Sequence, residues 1–143
     1  MMSAGLKKSE RLCSKLIIDK LFAGGNMSMA TFPLRIVYMR IEKTNDSRLR
    51  NAADTGLADN LPPVSILVSV PKKRFHHATD RNRMKRLIRE AYRLNKHILW
   101  EALEEKDYRL AVAFVCITDT LPTFHTVNKS MKKALVRMAE KEL

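Results

Sequence analysis

Cysteine is scarce in this chain: there are two in 143 residues, Cys13 and Cys116. They lie far apart and in no CxxC spacing, so they supply neither a zinc site nor a disulfide framework. Cys116 falls in the apolar run from Leu110 to Ile117, where a small buried side chain is the plain expectation. Apolar runs are short, and none approaches the ~20 residues of a membrane span. The opening MMSAGLKKSERLCSK has no apolar stretch of the kind a secretion signal carries. A cytoplasmic setting is therefore expected, with no membrane partner. Repeats are absent. Acidic residues are few, 15 against 27 Lys and Arg, which leaves a net charge of +12. Histidine and carboxylate clusters are missing too. His76 and His77 are adjacent and so do not share a helical face, His97 and His125 are isolated, and Glu104-Glu105-Asp107 sit in a turn. A metal-dependent nuclease built from this chain alone lacks its ligands.

What the chain has is enough apolar content, 45%, to fold as one domain over residues 1–143 without disulfides or a structural metal. A basic domain of this size points to nucleic acid. Helical spacing marks Ser14 to Ala23, with Ser14 as cap, Gly24-Gly25 as stop, and Leu16, Ile17, Leu21 and Phe22 as apolar positions. Residues Phe32 to Ile41 read as a strand with Leu34, Ile36 and Tyr38 on one side and Val37, Met39 and Ile41 on the other. Residues 43–63 are polar, end in Pro62-Pro63, and read as an exposed insertion. Val64 to Val70 is a second strand, its valines and Ile66 facing the core and Ser65, Leu67 and Ser69 on the open face. Tyr108 to Ile117 is a third, apolar enough to be central. Residues 124–142 form an amphipathic helix with Val127, Met131, Leu135 and Met138 in one stripe. The order is α-β-β-α-β-α, an α+β domain.

The charge gathers between Lys72 and Lys96, where Lys72, Lys73, Arg74, Arg81, Arg83, Lys85, Arg86, Arg89, Arg93 and Lys96 face only Asp80 and Glu90. Thr79 or Asp80 can cap a helix here. At ~100° per residue, Met84, Leu87, Ile88, Ala91 and Tyr92 share an arc of about 140°, and Asn82, Lys85, Arg86, Arg89 and Arg93 share an opposite arc of about 100°. Lys85 with Arg89, Arg89 with Arg93 and Arg86 with Arg89 repel across a turn, at a few tenths of a kcal/mol each. A bound polyanion removes that cost. Arginine outnumbers lysine on this face, and its planar fork bonds phosphate bidentately and stacks on bases. Asn82 adds a group able to bond a base edge or ribose. A rigid basic helix beside a sheet suits RNA shape recognition, and neither a zinc finger nor a helix-turn-helix pattern points to DNA. Phe22, Tyr38 and Phe32 are candidate stacking rings, although Phe32 is expected in the core.

The run Arg81-Asn82-Arg83-Met84-Lys85-Arg86-Leu87-Ile88-Arg89-Glu90 resembles the signature helix of the bacterial ribonuclease P protein subunit. Val68-Ser69-Val70-Pro71-Lys72-Lys73 is similar to the strand that precedes it there. Arg11-Leu12, Leu21-Phe22 and Gly25 resemble the first helix of that family, and Glu105-Lys106-Asp107-Tyr108 the entry to its last strand. The resemblance implies a sheet of about four strands with a left-handed crossover through the basic helix. It implies a cofactor of a catalytic RNA that hydrolyses precursor tRNA to release the 5′ leader. Mg2+ would be held mainly by the RNA, with no catalytic or metal-binding residue in the protein. Lys72, Lys73, Arg74, Arg81, Asn82, Arg83, Lys85, Arg86, Arg89 and Arg93 would contact RNA, and Ile18, Phe22, Tyr38 and Ser69 would line a leader cleft. Ile18 stands where the family often has an aromatic residue, and the 43–63 insertion is atypical. The competing reading is a structural, ribosome-associated RNA-binding protein.

Overall fold

The computed structural model describes residues 10–12, 14–24, 26–42 and 62–142. Most of the insertion, 43–61, lies outside them. Among the described residues, three helices and a four-stranded mixed sheet follow in the order α1 (Lys15–Phe22), β1 (Met27–Thr31), β2 (Leu34–Glu42), β3 (Val64–Ser69), α2 (Ala78–Leu103), β4 (Tyr108–Cys116) and α3 (Phe124–Glu142). The sheet runs β1-β2-β4-β3. β1 pairs antiparallel with β2, β2 antiparallel with β4, and β3 parallel with β4.

α1 begins as its sequence predicts. The Ser14 hydroxyl accepts from the Ile17 N–H at 3.4 Å. It ends where Gly24 takes φ +99°, a left-handed turn that a side chain resists. The Asn26 amide then donates to the Lys20 and Leu21 carbonyls at 2.8 and 2.9 Å, closing the helix end. α2 starts slightly earlier than expected. His77 is its cap residue, without a side-chain bond, and Thr79 and Asp80 lie in the first turn. Asp80 still sits at the positive end of the helix dipole.

β1 is absent from the sequence reading. It forms an antiparallel edge on β2, with Phe32-Pro33 as the turn and a cis peptide between them. Phe32, expected in the core, is 69% exposed at that turn.

Both faces of the sheet are apolar, and they are covered unequally. α2 and α3 together cover one face, where Leu34, Ile36, Tyr38, Val64, Ile66, Val112 and Phe114 meet Met84, Ile88, Tyr92 and Leu99 of α2 and Val127, Met131, Leu135 and Met138 of α3. The Asn95 side chain donates to Asn128 at 2.6 Å, joining the two helices. Among the described residues, α1 and the segment before it are what covers the other face, with Leu12, Ile17 and Leu21 over Ile41, Ala111 and Ala113. Around that smaller core Ile18, Val37, Met39 and Leu67 are half-buried. The end of α3 is tied to the sheet by Glu142, whose buried carboxylate accepts from the Tyr108 hydroxyl and from Arg40.

The α2 stripe matches its predicted arc, except that Leu87 is half-buried while Met84 and Ile88 are fully buried. Ile88→Ala therefore lowers unfolding free energy by about 2–5 kcal/mol, read as a lower denaturant midpoint at constant m-value. Leu87→Ala costs less. Equal losses at the two positions would contradict this packing.

Candidate nucleic-acid interface

The packing of α2 turns its cations outward, but the structure sorts them. Asn82, Arg83 and Arg86 are exposed, and Lys85 and Arg89 are half-buried. None of these four cations is in an ion pair with a carboxylate among the described residues. Three other predicted contacts spend donors on the protein itself. Arg81 donates to the Phe75 and His76 carbonyls, each at 3.0 Å, and so fastens the turn that launches α2. Arg93 bonds Glu90, with Nε to the carboxylate at 3.0 Å. Arg74 reaches Asp119 at 3.2 Å. Lys72 and Lys73 are exposed in the turn after β3.

Lys96 shows where a helical wheel fails. It falls at about 120° from Met84, between Lys85 and Arg89, yet only 2% of it is exposed. The segment ahead of α1 covers it, and its ammonium donates to Glu10 at 2.8 Å. The same segment brings Arg11, which sequence reasoning left out of the site, over α2. Arg11, Asn82, Arg86, Arg89, Glu90 and Arg93 enclose an open recess of about 430 Å³. Partial burial, and then the charge of Arg11, push the Arg89 pKa below its ordinary value. The hydrogen bond from Arg93 holds the Glu90 carboxyl below the usual carboxylate range and Arg93 above its own.

A second recess, about 400 Å³, opens on the thinly covered face of the sheet. Leu21, Phe22 and Gly24 of the α1 end border it, with Asn26, Ser28, Arg35, Val37 and Val115 opposite. Phe22 is 50% exposed here, and Ile18 is half-buried one turn away. Ser69 is half-buried on the same face, in register with Val115. Tyr38 does not belong with them. Strand residues alternate between faces, and Tyr38 is turned to the α2–α3 side with no exposed surface. Burial, followed by the charge of Glu142, raises its phenol pKa, while Arg40 opposes this. Val37 occupies the recess position on β2. Asn26, Ser28 and Arg35 were missed as well. Arg35 alternates with the buried Leu34 and Ile36, and that spacing was the signal that could have found it.

Among the described residues, no three or more His, Cys, Asp or Glu are grouped to hold a metal ion, and no helix is long and apolar enough to cross a membrane.

A cationic helix face held on a mixed sheet marks a nucleic-acid-binding domain. The sequence model of the ribonuclease P family matches residues 6–139. The ribonuclease P protein component of Porphyromonas gingivalis is 44% identical over 135 residues, covering 94% of this chain and 87% of that protein. The component from Chlorobium phaeobacteroides is 28% identical over 144 residues, 94% of this chain and 90% of that one. The Staphylococcus aureus RNase P protein has the same fold, with a TM-score of 0.59 at 16% identity over 93% of this chain and 97% of that one. The chain belongs to the bacterial ribonuclease P protein family. It is thus a subunit of a ribonucleoprotein endoribonuclease that acts in tRNA 5′ processing, and it has an RNA partner.

Joint replacement of Arg86 and Arg89 by Ala weakens RNA binding and lowers the slope of log affinity against log salt by about two, with the unfolding midpoint unchanged. Arg81→Ala instead destabilises the fold by about 1–2 kcal/mol through its two lost hydrogen bonds. Filter binding across a salt series, paired with denaturant unfolding, separates the two kinds of arginine.

Proposed function

We propose that the protein binds the catalytic RNA of ribonuclease P through the outer face of α2 and holds the 5′ leader of precursor tRNA in the recess between α1 and the sheet. The RNA carries out the phosphodiester hydrolysis, with Mg2+ held mainly by the RNA. The protein lends binding and position, in a cytoplasmic setting and without DNA or membrane partners. The observation that carries this reading is that Arg83, Lys85, Arg86 and Arg89 form no ion pair with a described carboxylate on the outer side of a helix packed on the sheet, within a family defined by a ribonucleoprotein. Lys72 and Lys73 extend the cationic surface from the end of β3. On the opposite face Phe22 offers a ring to a base, Arg35 a guanidinium to a phosphate, and the Asn26 carbonyl oxygen an acceptor fixed by its amide bonds.

The decisive assay combines the purified chain, the catalytic RNA and precursor tRNA. At low Mg2+ the protein raises the rate of 5′ leader release above that of RNA alone. RNA binding without any such rise would favour a structural, ribosome-associated role instead. Cutting by the protein alone would point to a protein nuclease. Phe22→Ala weakens binding of precursor tRNA relative to mature tRNA by ~1–3 kcal/mol, the value of one stacked base. A loss shared equally by both tRNAs would remove Phe22 from the leader path.

A further inference from the structure

The recess on α2 is built from two separate parts of the chain. Asn82, Arg86, Arg89 and Arg93 come from the helix, while Arg11 comes from the segment ahead of α1. Nothing in the charge pattern of α2 brings Arg11 there, and its approach to Arg89 sets like charges against each other. The structure therefore contains something that holds it in place, and that something lies in its immediate neighbours.

Glu10 and Leu12 are buried, at 1% and 7% exposure, while Arg11 between them is exposed. On one side, Leu12 enters the small core beside Ile17 and Leu21, and its N–H donates to the Ile66 carbonyl at 2.7 Å. Arg11 itself makes a parallel bridge to Ile66, at the free edge of β3. On the other side, Glu10 accepts from the Lys96 ammonium, and both side chains are almost wholly removed from water. Lys96 also lies 4.7 Å from the centre of the Trp100 ring, and Trp100 in turn donates to the Tyr92 hydroxyl at 3.0 Å. A buried ion pair is a poor source of net stability, because desolvation offsets its attraction, but it is selective about which groups meet. Apolar side chains would fill this space without fixing the position of the segment. The Lys96 ammonium meets the Glu10 carboxylate, and the residue next to Glu10 is Arg11.

We propose that the buried Glu10–Lys96 ion pair is a positioning latch that seats the segment ahead of α1 on α2 and holds Arg11 over the Arg86–Arg89 recess, where it joins them in gripping an RNA phosphate. This rests on the reading of the α2 face as the RNA-binding surface. Lys96 is then a positioning residue. It lies on the cationic arc of the helix and contributes to RNA binding from the inside, through Glu10, without touching RNA. The like-charged approach of Arg11 to Arg89 is relieved when an anion enters the recess. The segment contributes one more phosphate contact than α2 alone can make.

The test is the affinity of the full-length chain for the catalytic RNA across a salt series. Arg11→Ala loses about one unit of salt slope and binds about fivefold more weakly at physiological salt, the electrostatic share of a single phosphate contact. Removing only one member of the pair would leave a buried charge unmatched, so the latch is opened with the double variant E10A/K96M, which leaves the net charge unchanged. It loses the same unit of slope as Arg11→Ala, and adding R11A to it costs nothing further. The reversed pair E10K/K96E restores the slope. A purely structural role for the pair would lower the unfolding midpoint and leave the slope as it was, and that result overturns the latch. Loss of slope in R86A but none in R11A places Arg11 outside the site, which overturns the proposal while the α2 reading stands. Unchanged slopes in both R86A and R11A overturn the α2 reading and the latch with it.

Discussion

The parallel pairing of β3 with β4 is the constraint on which the rest of the molecule depends. Parallel neighbours cannot be joined by a tight turn, so the chain must cross over a face of the sheet. α2 is that crossover. Its apolar stripe is driven into the sheet by burial of Met84, Ile88, Tyr92 and Leu99, and whatever occupies the opposite arc faces outward on a rigid rod. α3 then packs beside α2, and the two complete one face. Among the described residues, what remains for the other face is the segment around Leu12 and α1, a helix of eight residues that is too short to cover it. The cationic surface and the recess by Phe22 are thus two consequences of one connection.

Counting charge overstates the surface available to a phosphate. A guanidinium turned inward contributes its donors to the fold, as Arg81 does at the start of α2 and Arg109 does where it bonds the Pro62 carbonyl and the Ser65 hydroxyl at 2.7 and 2.6 Å. Arg93 is partly neutralised by Glu90, and Arg74 by Asp119. Two partly exposed pairs of this kind add little to stability, but they lower the local potential. What is left facing outward on α2 is Arg83, Lys85, Arg86 and Arg89, joined by Arg11 from elsewhere. This set is smaller than the run of sequence suggests, and it is concentrated at the first half of the helix.

The helices were legible because their periodicity is strong and their apolar arcs face a single partner. The four stripe residues of α3 are all buried, as their spacing predicts. β1 was not legible. Its residues, Met27 to Thr31, form an edge with one neighbour, so only Thr31 is fully buried and no clean alternation develops. The side on which Tyr38 falls was not legible either. β2 is apolar on both faces because helices cover both, and alternation then reports two cores without saying which one lies under α1. The error of one position moved an aromatic ring from the core into the recess. Lys96 illustrates a different limit. A wheel treats a helix as if only one partner touched it, and here a distant segment covers part of the cationic side.

That shift of one residue changes the chemistry of the recess. With Tyr38 turned into the core, β2 offers Val37 and Arg35 there, and Phe22 is the ring at its border. A surface with several rings would bind single-stranded RNA by stacking, which tolerates any base. This surface has one ring, one guanidinium and an amide whose orientation is set by two backbone carbonyls. In the proposed role, its grip on a leader comes more from phosphate contact and directed hydrogen bonds than from stacking. Charge contact weakens as salt rises, whereas stacking on Phe22 does not depend on ion release. In the proposed role, Arg35 would therefore carry the salt-sensitive part of leader binding, and Phe22 the part that persists.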